Sequence, residues 1–396
     1  MTPDRLAGLA LSTAVVLAAT SFAPTPSQAA EPYQIDAVLA LSGPGAFLGK
    51  GEQQALELAE KAVNDSGGLK GRPLHFVFHD DQTSPQLGVQ LTSGLVAKKP
   101  AVILGSSLVA ICRAQQPLVK NGPVHYCFSP GLHPPAGDYS FSPSVSTTDL
   151  ADATVRYFRM KGWTRLAFMF STDATGQEFE EGVKGILAKP ENAQMKVVAA
   201  EHFATSDVSV SAQIQNVKAA NPQAFIAWST GTPIATIFRG MIQAGLDVPM
   251  ATTDGNMTYA QMKQYSDFLP KRLYIPAGQF IQRDASGQPP AVAKAHAEFY
   301  NAFDAIGAKP DEPSELAWEP AMIVVYALRT LGTEATAAQL HDFLVHLKGY
   351  AGADGMYDFE RVPQRGLGVS NAVMTLWSDQ ARTWEVVSKP GGEPLR

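Results

Sequence analysis

Cysteine is almost missing from this chain: Cys112 and Cys127 are the only two among 396 residues. None stands near the N-terminus, which argues against a lipid anchor there. The pair itself leaves two readings. One is a disulfide, contributing about 3 kcal/mol by chain entropy in an oxidising compartment; the other is two buried thiols, one in a helix and one in a strand. A basic stripe is also lacking. Thirty-one basic residues stand against 37 acidic ones, a net charge of -6, so a phosphate backbone has nothing to hold and nucleic acid is excluded as a partner. Beyond the first thirty residues no run is apolar enough to cross a bilayer. The eight histidines fall in no metal-binding spacing, and no Gly-x-Ser-x-Gly elbow is present. Metal and cofactor are therefore expected to be none.

The N-terminus does carry an apolar run, Leu6 to Ala23, interrupted by Ser12, Thr13, Thr20 and Ser21. Arg5 precedes it, and Pro24, Pro26 and the small-residue end Ser27-Gln28-Ala29-Ala30 follow. The pattern predicts a signal peptide over 1–30, cleaved near Ala29 or Ala30. The run is short for a membrane anchor of about 20 residues.

From Ile35 onward short apolar runs alternate with helical patterns. Ile35 and Ala37 to Leu41 suit a strand buried on both faces of a parallel sheet. Ser42-Gly43-Pro44-Gly45 breaks it, a helix follows through Ala55, Leu58, Ala59 and Val63, and Leu74 to Phe78 is the next strand. Further strands are predicted at Ala101–Leu104 and Val124–Phe128, then a second set at Arg165–Phe170, Val197–Phe203, Ala224–Trp228, Pro249–Thr252 and Leu273–Phe280. The fold class is α/β, with two doubly wound parallel-sheet lobes joined by a three-strand hinge. Lobe 1 is expected over 31–145 and 281–357, and lobe 2 over 146–280 and 358–396. Crossings near residues 145, 280 and 357 would make the hinge of a closing cleft. The tail reads as a hairpin of Ala372–Trp377 and Trp384–Val387.

Gly43-Pro44-Gly45-Ala46-Phe47-Leu48-Gly49 loosely matches a dinucleotide fingerprint, but its spacing is wrong and no acid follows at the expected distance. A turn whose backbone amides face a small ligand is the better reading. His125 with Cys127, and His75 with His79, share strand faces and are read as packing. Asp80-Asp81 are read as caps of the following turn and helix.

Leu41-Ser42-Gly43-Pro44, the helix ending in Asn64-Asp65-Ser66-Gly67-Gly68-Leu69-Lys70-Gly71, and the strand ending in His79-Asp80-Asp81 together resemble the leucine/isoleucine/valine-binding proteins, a branch of the type I periplasmic solute-binding proteins. The resemblance covers nearly the whole chain after residue 30. It implies a periplasmic monomer that traps a small-molecule carboxylate between its lobes and hands it to the membrane permease of an ABC importer. No chemistry on the ligand is implied. A sensory module using the same cleft, or an exported enzyme, are the alternatives.

Carried across residue by residue, the resemblance points to Phe47 and Leu48 in the first turn. It points to Ser106, Ser107, Val109 and Ala110 after the third strand, and to Gly131, Leu132 and His133 after the fourth. In the second lobe it points to Thr175 and Gly231, where the family has tyrosines, and to Asp254, which meets an ammonium group. The first lobe has lost hydroxyls relative to the family. Asp254 favours an apolar or branched-chain amino acid; the altered first lobe tips the reading slightly toward an aromatic or other hydrophobic acid.

Overall fold

The computed structural model describes Met1 and residues 31–395, so the signal peptide and its cleavage site lie outside the described residues, Met1 apart. The chain begins β1 (Tyr33–Leu39), α1 (Ala46–Asp65), β2 (Leu74–Asp80), α2 (Pro85–Val96), β3 (Val102–Gly105), α3 (Val109–Gln115), β4 (Val124–Tyr126) and β5 (Ser140–Phe141). These strands make one parallel sheet in the order β2-β1-β3-β4-β5. Ile35, Ala37, Val38 and Leu39 are buried, as a continuous apolar run should be when helices cover both sheet faces. α1 buries Leu48, Ala55, Leu58, Ala59 and Val63 on one stripe and stops before Gly67 and Gly68, whose φ of 92° and 67° end the helix. Cys112 of α3 and Cys127 after β4 are joined in a disulfide, their Cα atoms 6.0 Å apart.

The second lobe opens with α4 (Thr147–Met160) and β6 (Arg165–Ser171). It continues through α5 (Ala174–Leu187), β7 (Lys196–Phe203), α6 (Ser211–Ala219), β8 (Ala224–Trp228), α7 (Ile234–Ala244), β9 (Met250–Ala251), α8 (Tyr259–Gln264) and β10 (Leu273–Ala277). Three helices follow, α9 (Pro290–Asp304), α10 (Glu312–Leu331) and α11 (Ala337–Val345), then a ribbon of β11 (Lys348–Gly352) and β12 (Gly355–Asp358). The sequence reading missed this ribbon, whose glycines hide its strand pattern. The chain ends with β13 (Val373–Ser378) and β14 (Thr383–Val386), the expected hairpin. β13 pairs antiparallel with β10 and extends the second sheet, in the order β14-β13-β10-β9-β8-β6-β7. α10 packs along α1, returning the late helices to the first lobe.

The chain passes between the lobes three times: between β5 and α4, between β10 and α9, and between β12 and β13. Buried Asp354, between β11 and β12, ties these passages together. Its Oδ1 accepts from the Phe280 amide at 3.0 Å, and its Oδ2 accepts from the Ser144 hydroxyl at 3.2 Å. Gly278 packs so closely on the Asp354 carboxylate that a Cβ there would overlap it. Arg365, on the third passage, donates to the carbonyls of Pro143 at 2.6 Å, Pro130 at 2.9 Å and Leu132 at 2.7 Å.

Candidate functional site

In an open α/β sheet the strand order reverses at one point, and the loops there part to leave a crevice at the carboxyl ends of the strands. In the first lobe that point lies between β1 and β3; in the second it lies between β6 and β8. The two crevices face each other. Between them is a cavity of about 30 Å³, lined from the first lobe by Leu48, Ser107, Leu108, Val109, Ser129, Pro130 and Gly131. Thr175, Glu178, Trp228, Thr230, Thr253, Asp254 and Gly255 line it from the second lobe, with Thr147 and Leu316 at its margins. The space holds little more than a water or two, so a ligand enters only when the lobes separate.

Of the residues singled out in the sequence, Leu48, Ser107, Val109, Gly131, Thr175 and Asp254 come together here. Phe47 does not. One step round α1 turns it away, into a separate groove of about 810 Å³, and its ring meets Tyr265 of the second lobe edge-on at 6.3 Å. Ser106 is buried behind Ser107, and Ala110, one residue into α3 beyond Val109, does not reach the cavity. Leu132 packs with the Cys112–Cys127 pair. Gly231 (φ 85°) lies against lobe 1, where a Cβ would fall 2.6 Å from the Pro44 carbonyl oxygen. His133 sits at the rim, its Nε2 2.7 Å from Glu178 Oε1 across the gap.

The first turn also differs from expectation, because its amides do not face a ligand. Asp80 accepts from the Leu41 amide at 3.0 Å, the Ser42 amide at 3.2 Å and the Ser42 hydroxyl at 2.7 Å, and the Gly45 amide donates to Thr83 Oγ1 at 3.1 Å. Asp80 therefore anchors the turn before it; Ser84 caps α2. The hydroxyls missing at the family positions are supplied by neighbours, since Ser107, Ser129 and Thr147 all line the cavity. Ser129 stands early in the loop after β4 and Thr147 opens α4.

The charged residues lining the cavity are both acids, Asp254 and Glu178. Asp254 is buried, and its Oδ1 accepts from the Thr253 hydroxyl at 2.6 Å. Burial pushes its carboxyl up, while the Thr253 hydroxyl, the Gly255 amide and Glu312 pull it back. Glu312, at the start of α10, is pushed well above the usual range by burial and then by the Asp254 charge. Burial and neighbouring negative charge thus raise both carboxyls, and among the described residues Asp254 Oδ2 and Glu312 Oε2 have no hydrogen-bond partner. Arg365 is close, but burial pulls its guanidinium down to about 10 and its donors are committed to backbone carbonyls. Among the described residues the cavity lining thus carries two acids and several hydroxyls and no basic side chain.

Sequence reasoning missed Glu178 and Trp228. Glu178 lies on a helix face that reads as surface, and Trp228 ends an apolar strand that reads as core; only the partner lobe makes a cavity wall of them.

The model of a protein family described as periplasmic binding protein matches residues 32–380. No curated protein matches the sequence. Among solved structures, an extracellular ligand-binding receptor from Rhodopseudomonas palustris is similar at 17% identity and a TM-score of 0.78, over 91% of this chain and 100% of that one. The branched-chain amino acid transporter substrate-binding protein LivJ of Streptococcus pneumoniae, in complex with isoleucine, has 17% identity and a TM-score of 0.75, over 90% and 99%. A solute-binding protein of an ABC transporter from R. palustris, in complex with benzoate, has 17% identity and a TM-score of 0.74, over 92% and 97%. At these identities the likeness is one of fold.

Proposed function

The chain belongs to the periplasmic binding protein family, and from that premise we propose that it captures a small amphipathic carboxylate bearing an ammonium group, an amino acid, between its two lobes. The reading places it in the periplasm as a monomeric substrate-binding component of an ABC importer, with lobe 1 over 31–145 and 281–357 and lobe 2 over 146–280 and 358–396. It releases its ligand unchanged to a membrane permease. The observation that carries the ligand class is Asp254, a buried carboxylate on the cavity wall with Glu178 beside it and no basic residue among the lining groups.

The hydroxyls of Ser107, Ser129 and Thr147 supply donors for the ligand carboxylate from the other side. Leu48, Leu108, Val109 and Leu316 supply apolar cover. Isoleucine and benzoate in two structural relatives mark two ligand chemistries on this fold. The acids favour the first, because a benzoate would bring a negative charge and no positive one to a cavity lined by Asp254 and Glu178.

Thermal unfolding against a panel of amino acids, benzoate and related acids tests the reading. An amino acid present at 100 times its Kd should stabilise the protein by about 2.7 kcal/mol. A melt raised by benzoate and by no amino acid would overturn the ligand class; a panel that leaves the melt unmoved would overturn both.

A further inference from the structure

Trp228 is fully buried at the end of β8 and lines the cavity. Its indole lies flat on Phe179, ring centroids 3.9 Å apart and planes 4° from parallel, within the apolar cluster of Phe168 and Phe170. That stacking fixes the ring. Indole Nε1–H can only donate, and among the described residues it has no acceptor. A buried donor so placed is costly unless something in the cavity accepts from it. On the same wall stands Glu178, one turn along α5 from Thr175. Its Oε1 is engaged by His133, and among the described residues Oε2 has no hydrogen-bond donor.

We propose that Trp228 and Glu178 read a carboxamide on the side chain of the ligand, which makes it an amino acid of the asparagine or glutamine kind rather than a hydrocarbon one. The carboxamide oxygen accepts from Trp228 Nε1–H, and its NH₂ donates to Glu178, so one planar group satisfies both. A branched hydrocarbon side chain would leave the indole N–H unpaired. A second carboxylate would accept from Trp228 but face Glu178 with like charge. This inference rests on the amino-acid reading of the cleft and adds the side-chain group to it.

Calorimetric titration of the full chain with asparagine, glutamine, leucine, isoleucine and glutamate tests it, repeated on Trp228→Phe. The phenyl ring keeps an aromatic face toward Phe179 and removes the donor, at the cost of part of the ring volume. The wild type should bind asparagine or glutamine at least about tenfold more tightly than leucine, isoleucine or glutamate, the discrimination expected when a buried donor loses its partner. Trp228→Phe should lose most of that preference, read as the ratio of carboxamide to leucine affinity within the variant. Leucine or isoleucine matching the carboxamides on the wild type overturns the inference and leaves the amino-acid reading standing, and this comparison needs no variant. An unchanged preference in Trp228→Phe overturns the role of the indole. If no amino acid binds, the reading of the cleft fails and the inference falls with it.

Discussion

His133 Nε2 and Glu178 Oε1 meet at 2.7 Å, and the bond they share spans the gap between the lobes. His133 comes from the loop after β4, and its side chain is 43% exposed; Glu178 comes from α5, at 6%. The pair can exist only when the lobes are closed, so it favours the closed form over the open one. A half-exposed pair of this kind contributes about 1 kcal/mol. His133→Ala should therefore weaken ligand affinity about fivefold, mainly through faster release, with little change in the melt of the free protein. Stopped-flow dissociation would check this. A release rate equal to the wild type would mean the pair does not hold the cleft shut.

Gly231 makes a further cross-lobe contact, against Pro44. A Cβ at this position would stand 2.6 Å from the Pro44 carbonyl oxygen, and φ of 85° already favours glycine. Gly231→Ala should hold the lobes slightly apart. We expect affinity to drop by about tenfold, with a strain of about 1 kcal/mol on the fold. Small-angle scattering with saturating ligand should give a larger radius of gyration than the wild type. Full compaction of the variant would show that this contact does not limit closure.

The hinge carries a pH dependence. Asp354 is pushed up to about 8 by burial, the Glu319 charge adding to it, and Glu319 is pushed up to about 7 by burial. Glu315 is pushed well above the usual range by burial, and by Asp354, Glu312 and Glu319 after that. Around Asp354, the Phe280 amide and Ser144 hydroxyl favour the ionised form. On the third passage Arg365 is the base. Carboxyls with raised folded pKa values keep their protons where the unfolded chain has already released them. Native protein then binds more protons than unfolded protein, and stability falls as pH rises. The stabilisation is complete below about pH 4, the ordinary carboxyl range, and is lost as pH climbs to about 8. Each group contributes up to about 1.4 kcal/mol per pH unit inside its window. Asp354→Asn keeps an acceptor for Phe280 and a group for Ser144 but cannot ionise. Urea denaturation between pH 5 and 8 should show a flatter decline for it than for the wild type; parallel slopes would place the dependence elsewhere.

The alternation of strand and helix was legible because continuous apolar runs such as Ile35–Leu39 and Ala224–Trp228 need two covered faces, and only a parallel sheet offers them. β5 was not legible: two residues define it, and only pairing with β4 makes Ser140 and Phe141 a strand. The site followed the same division. Asp254 and Ser107 stand in loops at strand ends, where chain order alone exposes them to the cleft. Phe47 and Leu48 are neighbours in sequence, yet the helical rotation between them sends one to the cavity and the other to a different groove. Glu178 and His133 are 45 residues apart and belong to different lobes. No local pattern predicts their contact, which depends on how the hinge sets the lobes.

The proposed ligand class rests on Asp254, so titration of the wild type and Asp254→Asn with one amino acid and with its analogue lacking the amino group is the most direct test. The wild type should prefer the amino acid by 100-fold or more, on the order of the loss expected when a buried charge is left unpaired. Asp254→Asn should abolish that preference. If the deaminated analogue binds the wild type as tightly as the amino acid does, the cleft does not recognise an ammonium group and the ligand belongs to another class.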